Sequence, residues 1–119
     1  MSYGDIEPSP FQGGEGVLPL VPAVTFSRRE LNRIFGLYGR KVAAGEWRDY
    51  AIDFLKDRAV FSIFRRASEV PIYRIEKQPR IARRQGAYAV ISATGVILRR
   101  GHELDRVLGA IDSLRVVAR

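Results

Sequence analysis

The stretch EKQPRIARRQGAY, residues 76–88, carries the side chains with the clearest chemical potential in this sequence. Its basic residues are Lys77, Arg80, Arg83 and Arg84. A guanidinium group offers a planar fork of donors that matches phosphate or carboxylate oxygens, so the stretch suits anion binding better than covalent chemistry. A solvated loop would have a similar composition, because runs of charge usually lie on the surface. Both interpretations stay open at this point.

Groups able to catalyse a reaction are scarce. The sequence has no Cys, which excludes disulfides, thiolate catalysis and Cys-ligated metals. Its single His, His102, precedes a predicted helix, where a cap or an exposed position is a simpler interpretation than a general base. Asp49, Asp53 and Asp57 share a four-residue spacing, but no His accompanies them, and solvated carboxylates are the default. We therefore expect no enzyme, no metal and no cofactor.

Charge is distributed unevenly along the chain. Residues 1–27 contain three of the 13 acids and none of the 20 Lys and Arg, so the rest of the chain has 20 bases against 10 acids. A pI near 10.4 favours attraction to nucleic acid or other anionic surfaces. The preference for Arg over Lys would also arise in a genome rich in G and C, without any selection for binding. Composition therefore indicates a class of partner and says nothing about fold.

The length of 119 residues and the apolar content of 46% predict one domain, which we place at residues 25–119. Residues 1–24 form an acidic tail rich in Pro and Gly that we expect to be flexible. The apolar run Val17–Val24 is predicted to lie across the domain as an extended strap, with docking on a partner as the alternative. No stretch approaches the roughly 20 apolar residues that span a bilayer, and the acidic start does not resemble a signal peptide. We expect a cytoplasmic protein with no membrane partner.

The first predicted helix runs from about Arg28 to Ala44. Ser27 and Glu30 have the spacing of a capping box, and Phe26 before them can act as a hydrophobic staple. Gly45 supplies the C-terminal stop. The apolar stripe of this helix consists of Leu31, Ile34, Phe35, Tyr38 and Val42. 

Two glycines, Gly36 and Gly39, lie inside this helix. Each costs about 1 kcal/mol relative to Ala. A close backbone contact on their side of the helix is the simplest reason for them, and we expect one there.

Residues 49–55 fit either a helix or a strand, and we choose the strand. The segment KDR followed by the β-branched and aromatic run AVFSIF predicts a hairpin with its turn near Lys56 and Asp57. The second strand is then Arg58–Arg65 and the third Val70–Lys77. Because Pro71 lacks a backbone donor, the start of the third strand should lie on an edge or in an irregular pairing.

A second hairpin is predicted after the basic loop at residues 77–87. Its strands are Tyr88–Ser92 and Val96–Arg99, around a turn that ends at Gly95. A last helix carries Leu104, Val107, Leu108 and Ile111 at helical spacing. The predicted fold is therefore α+β: an antiparallel meander of about five strands with an N-terminal and a C-terminal helix packed on one face.

A meander brings alternate turns to the same end of the sheet. The first turn, the basic loop, the end of the fifth strand and the start of the last helix should meet there. We predict an anion site at that end, formed by Arg58, Lys77, Arg80, Arg83, Arg84, Arg99 and Arg100. Lys56 is also basic there, while Asp57, Glu76 and Glu103 are the acids that would oppose the cluster.

Several blocks of the sequence resemble a known family. They are FSRRELNRIFGLYG, GEWRDYAIDFLKDRAVFSIFRRASEVPIYRIEK and ARRQGAYAVISATGVILRRGHELDRVL, which together cover roughly residues 25–114. They look like a family of short alphaproteobacterial proteins catalogued as a domain of unknown function. The resemblance implies a bacterial cytoplasmic protein, and it brings no activity, ligand or catalytic residue.

Two hypotheses about function follow from the sequence. In the first, the domain is a nucleic-acid-binding or other anion-binding regulatory module, with the arginines on phosphates and Tyr73 or Tyr88 able to stack on a base. Packing within the sheet is the simpler interpretation of both tyrosines. In the second, the domain is an adaptor that binds an acidic protein partner, or a self-associating homodimer, with no nucleic-acid ligand.

Overall fold

The computed structural model of the protein describes residues 23–66 and 70–114. The helices are α1 (Arg28–Ala43), α2 (Ala82–Gln85) and α3 (Leu104–Asp112). The strands are β1 (Asp49–Phe54), β2 (Ala59–Phe64), β3 (Tyr73–Lys77), β4 (Tyr88–Ser92) and β5 (Ile97–Gly101). The five strands form one antiparallel sheet in the order β1-β2-β3-β4-β5, so the predicted meander is confirmed.

The hydrophobic core lies between the two longer helices and one face of the sheet. Its largest fully buried side chains are Trp47, Phe61, Ile34, Ile63, Ile75, Ile111, Val90 and Val107. Side chains alternate along a strand. Phe61 on β2 meets the α1 ring of Phe35 at a centroid distance of 5.4 Å, which fixes the face that α1 covers. Both helices cover that face, as the sequence predicted.

Helix α1 begins where the sequence predicted. The Ser27 hydroxyl accepts a hydrogen bond of 3.1 Å from the Glu30 N–H, and a Glu30 carboxylate oxygen accepts one of 2.7 Å from the Ser27 N–H. The buried stripe of α1 differs from the predicted one in one respect. Val42, which was predicted to be part of it, is 40% exposed, whereas Leu37 is only 2% exposed. The stripe passes through Ile34, Leu37 and Lys41, and this line leaves Val42 on its flank.

The prediction of a close backbone contact at the two glycines of α1 is wrong. A methyl group built on Gly36 or Gly39 would meet no atom within 4 Å, and both residues are exposed. Packing in the described part of the chain therefore does not require glycine at either position.

The strand interpretation of residues 49–55 is confirmed, because β1 pairs with β2 over six unbroken positions. The turn after β1 is closed by a hydrogen bond of 2.8 Å from the Leu55 N–H to the Arg58 carbonyl. Strand β3 begins at Tyr73 rather than Val70, which is 70% exposed. The sequence left two possibilities for Pro71, an edge position or an irregular pairing. Because β3 is the central strand, the edge position does not apply. Pro71, which has no N–H to donate, lies before the first paired residue of β3.

The predicted basic loop contains helical turns that the sequence analysis did not anticipate. A 3₁₀ turn at Pro79–Ile81 leads directly into α2. The segment is closed at its base by a hydrogen bond of 2.7 Å from the Gln78 N–H to the Ala87 carbonyl. Gly86, at φ +91°, packs so closely that an added Cβ would lie 2.1 Å from the Gly101 carbonyl carbon. The segment is therefore held against the end of β5.

Strand β5 starts one residue later than predicted and has a register shift opposite Val90 and Ile91. The four apolar residues predicted for the last helix are all buried in α3.

The predictions for the tail at residues 1–22 lie outside the described residues. The last residue of the predicted strap is described: Val24 packs against the core and donates a hydrogen bond of 2.8 Å to the Leu55 carbonyl. No helix in the described ranges has the length and apolarity needed to cross a membrane.

Candidate anion-binding site

The strand ends that the sequence predicted to carry the charge do lie together, at one end of the sheet. The register aligns Phe54, Ala59, Lys77, Tyr88 and Gly101 across the five strands. The turn after β1, the segment at 78–87 and the end of β5 therefore lie at the same end, as the meander required. The basic side chains there fall into separate groups with different partners.

Lys77 belongs to a group that we call the Glu30 cluster, formed by Glu30, Lys77 and Tyr88. The Lys77 ammonium lies 2.8 Å from a Glu30 carboxylate oxygen and 2.9 Å from the Thr25 carbonyl. The Tyr88 hydroxyl donates to the other oxygen of Glu30. Because all three side chains are largely shielded from solvent, Lys77 ties α1 to the sheet and is not available to an external anion.

The Glu30 cluster shifts the pKa values of its members. Burial raises the pKa of Glu30, but hydrogen bonds from Lys77, Tyr88 and the Ser27 N–H outweigh this effect and leave the pKa below its ordinary value. Burial, followed by the nearby Glu30 carboxylate, raises the pKa of Tyr88 to about 12. Both shifts favour an ionised Glu30 beside a protonated Tyr88 over a wide pH range.

Arg58 belongs to a second group, the Glu76 cluster, formed by Arg58, Arg74 and Glu76 on the sheet face opposite the helices. Glu76 is only 5% exposed, and its two oxygens lie 3.0 Å from Arg58 Nη1 and 3.5 Å from Arg74 Nε. Arg58 also pairs with Asp57 at 3.3 Å. Arg58 therefore neutralises acids of the chain itself, since a buried carboxylate needs such partners.

The outer arginines, Arg80, Arg83 and Arg84, lie on the 3₁₀ turn and α2, and all three are exposed. Within residues 23–66 and 70–114 none of them makes a hydrogen bond or an ion pair. A hydrogen bond from Arg58 chiefly lowers the pKa of Asp57, and the charge of Arg80 adds a smaller contribution. These three guanidinium groups are thus open to solvent.

Arg99 and Arg100 line a cavity of about 410 Å³ at the start of α3, which we call the basic groove. Its lining residues are Arg99, Arg100, Gly101, His102, Glu103, Arg106 and Val107. Arg99 Nη1 donates to the Arg106 carbonyl at 2.9 Å. Arg100 Nη1 is buried and has no hydrogen-bond partner in the described part of the chain. An unpaired buried guanidinium donor is costly, so an acceptor is expected at this position.

The first turn of α3 adds to the positive potential of the basic groove. Glu103 occupies the N-cap position but its side chain caps no backbone N–H, and it lies instead 3.3 Å from Arg106 Nε. Uncapped N–H groups at the start of a helix carry partial positive charge and attract anions.

A second cavity of about 340 Å³ separates the starts of α1 and α3. Its charged lining is mixed: Arg29, Glu30, Arg33, Glu103 and Asp105. Arg33 Nε lies 3.7 Å from an Asp105 oxygen. Since its acids offset its bases, this cavity suits a polyanion less well than the basic groove.

The structure divides the predicted site residues. Arg99 and Arg100 meet in the basic groove, Arg80, Arg83 and Arg84 share the exposed segment, and Arg58 and Lys77 are engaged with internal acids. The lining of the basic groove includes none of the outer arginines.

Two tyrosines predicted to be available for base stacking are not. Tyr88 is bonded to Glu30, and the Tyr73 ring packs against Trp47 at 6.2 Å. Both face the helices, because the alternation along β3 and β4 directs them into the core.

Sequence reasoning missed Arg74 and Arg106 as members of these groups. The i, i+2 spacing of Arg74 and Glu76 on one strand was a usable signal, since such residues share a face. Arg106 had a weaker signal, its position in the first turn of the last helix. In the described ranges, no group of three or more His, Cys, Asp or Glu residues could hold a metal ion.

A family model described as protein of unknown function (DUF2794) matches residues 24–108, and the chain belongs to this family. Neither the curated proteins nor the solved structures give a significant match.

Proposed function

We propose that this protein is a small non-enzymatic module that binds a polyanion, with nucleic acid as the ligand, through the outer arginines and the basic groove. The observation that carries the proposal is the division of charge at one end of the sheet. Acids at that end are paired with Lys77, Arg58 and Arg74, whereas the side chains of Arg80, Arg83 and Arg84 make no hydrogen bond or ion pair in the described residues. Unpaired, solvent-exposed guanidinium groups are the ones that can replace the counterions of a phosphate backbone.

The basic groove supports the same ligand class from a second position. Arg100, whose buried Nη1 lacks an acceptor in the described residues, lines the groove, and so do His102 and Glu103 at the uncapped start of α3. A phosphate oxygen would supply the missing acceptor. The groove would then hold one phosphate while the outer arginines contact others.

The absence of enzyme activity is part of the proposal. Nucleophilic and acid–base catalysis need clustered titratable groups, and the chain has one His and no Cys. The lack of Cys also fits the reducing cytoplasm, where we place the protein.

The test measures binding of a fluorescein-labelled duplex DNA and of the corresponding single strand by anisotropy across a range of salt concentrations. Replacing Arg80, Arg83 and Arg84 together by Ala should weaken binding at low salt. Each phosphate contact contributes about 0.9 to the slope of log affinity against log salt for duplex DNA, so the slope should fall by up to about three.

A matched control removes the same charge from the other end of the sheet. Arg48 precedes β1, while Arg65 and Arg66 follow β2, so their triple Ala variant keeps the overall charge change but spares the proposed site. If both variants lose affinity equally, binding reflects net charge alone and the proposed site is wrong. A parent protein that binds neither DNA form at low salt would reject the nucleic-acid ligand itself.

Self-association is the second candidate function. It is favoured by a separate observation: β1 is an edge strand, and no other strand of the described residues pairs with its outer side.

A further inference from the structure

Strand β1 forms one edge of the sheet, and its backbone orientation is fixed by its hydrogen bonds. The Leu55 N–H donates to the carbonyl of Arg58, the residue before β2, at 2.8 Å. In an antiparallel pair the N–H and C=O of alternate residues point to the same side, so the groups of Tyr50, Ile52 and Phe54 point away from β2. The Tyr50 N–H agrees with this, since it bonds to the Asp49 carboxylate at 2.8 Å instead of to β2.

The side chains on one face of this edge, the face that meets the helices, are largely apolar. Tyr50 is 41% exposed and Phe54 is 45% exposed, with the half-buried Ile52 between them on the same face. The Tyr50 N–H is held by Asp49, but the outward backbone groups of Ile52 and Phe54 make no hydrogen bond within the described residues. An edge strand with such groups and exposed apolar side chains is a template for a further strand.

We propose that a second copy of this chain pairs with β1 along this edge, antiparallel, about a two-fold axis at Ile52. The sequence Tyr-Ala-Ile-Asp-Phe is self-complementary about its centre: Ile52 meets its own counterpart, and Tyr50 meets Phe54 of the second copy. Cross-strand aromatic pairs of this kind stabilise a sheet. The two sheets then join into one of ten strands, with an isologous interface.

Charge selects this register over its neighbours. An axis at Ala51 would place Asp49 opposite Asp53 of the second copy, and an axis at Asp53 would place that carboxylate opposite itself; like charges directly opposed are destabilising. With the axis at Ile52, Asp53 faces Ala51 and Asp49 faces Leu55.

Like charges then meet only at the two ends of the pairing, where Arg48 faces Lys56. Replacing Lys56 by Glu should therefore tighten the dimer.

The other edge of the sheet is less suitable. Strand β5 has a register shift opposite β4 and carries Arg99 and Arg100, and both features discourage edge pairing. Strand β1 keeps an unbroken register with β2 over all six of its residues.

The absence of Cys allows a sharp test by cross-linking, since any introduced Cys can form a disulfide only with another copy. On the two-fold axis, paired Cα atoms lie about 5.5 Å apart, within the range of about 4.4–6.8 Å that a disulfide bridges. Ile52→Cys should therefore cross-link under mild oxidation, and the parent chain should sediment as a dimer.

Two single-Cys controls make the test specific. Phe54→Cys has its counterpart four residues out of register, about 13 Å along the strand, and should cross-link at least about tenfold more slowly because the reacting groups are not held together. Ile97→Cys probes β5 and should behave like Phe54→Cys.

Any of three results would overturn the proposal: a monomeric parent, equal cross-linking of Ile52→Cys and Phe54→Cys, or faster cross-linking through Ile97→Cys. Cross-linking of Ile52→Cys only after removal of residues 1–22 would also overturn it, since the chain's own N-terminal segment would then occupy the edge. The triple Ala variant of the outer arginines should still form the dimer. The proposals of dimerisation and of anion binding can therefore be rejected independently of each other.

Discussion

The Glu30 cluster and the outer arginines lie at the same end of the sheet, yet their charges differ in what surrounds them. Lys77 is closed in by a carboxylate, a carbonyl and a half-buried tyrosine. Arg80, Arg83 and Arg84 begin only three residues further along the chain, and their side chains make no hydrogen bond or ion pair among the described residues. The density of basic residues in a sequence therefore does not tell which of them a ligand can reach. Here the face of the sheet decides which residues a ligand can reach. Lys77 is the last residue of β3, and its side chain lies on the face that packs against α1.

The largest effect should come from removing Glu30. Glu30→Ala deletes half of the capping box and leaves the Lys77 ammonium and the Tyr88 hydroxyl without their shared acceptor. We expect the free energy of unfolding to fall by about 2–4 kcal/mol, measured by urea denaturation. Glu103→Ala is the control, an exposed acid whose loss should change stability by less than about 0.5 kcal/mol. If both variants lost the same free energy of unfolding, the distinction between charges paired inside the domain and charges exposed to solvent would be wrong.

The same cluster predicts how stability depends on acid pH. The folded state lowers the pKa of Glu30, so its contribution is complete well above about pH 4.3, the ordinary value for Glu, and is lost as the pH falls through the lower folded pKa. The stability difference between the parent and Glu30→Gln should accordingly shrink in acid.

Tyr88→Phe should have the next largest effect, about 1–2 kcal/mol, because a charged acceptor loses one hydrogen bond. The folded pKa of about 12 lies above the ordinary value of Tyr. The contribution of the hydroxyl is therefore complete below about pH 10 and disappears as the pH rises toward 12. Ultraviolet titration of tyrosinate should show a late-ionising group in the parent that is missing from the variant.

A more stable parent protein would allow the Glu30 cluster and the outer arginines to be compared more precisely, and α1 offers two stabilising changes that alter no charge. Gly36→Ala and Gly39→Ala should each raise the free energy of unfolding by about 0.5–1 kcal/mol, since both sites are open and helical. Thermal denaturation of each single variant tests this. A loss of stability at either site would indicate a contact made by the parts of the chain outside the described residues.

The smallest effect on stability is expected for the outer arginines. Their triple Ala variant should unfold within about 0.5 kcal/mol of the parent, as exposed charges contribute little. A variant that unfolds or precipitates would show that these arginines hold the strand ends together, and the nucleic-acid proposal would then fail with them.

Local patterns in the sequence predicted most of the fold. Ser27 and Glu30 located the start of α1, and the segment KDR before the β-rich run AVFSIF decided between helix and strand for β1, because capping and hairpin signals depend on neighbouring residues only. The meander followed from five predicted strands in direct succession, with the two predicted helices before and after them.

What the sequence did not indicate depended mainly on contacts distant in sequence. Nothing near Lys77 indicates that Glu30, 47 residues earlier, would bind it. The apolar stripe of α1 was misplaced at Val42 because Leu37 is buried by tertiary packing that periodicity does not resolve. The helical turns at 79–85 were missed because Pro79 and the surrounding charges look like an ordinary loop.

The contact between Gly86 and Gly101 has a consequence for the thermodynamics of binding. A flexible loop loses conformational entropy when a ligand orders it, and this loss weakens the complex. The segment that carries the outer arginines is closed at its base by Gln78 and Ala87 and packed at Gly86, so that entropy is already lost when the domain folds. Anion binding at this segment should therefore show a small entropic penalty in calorimetry.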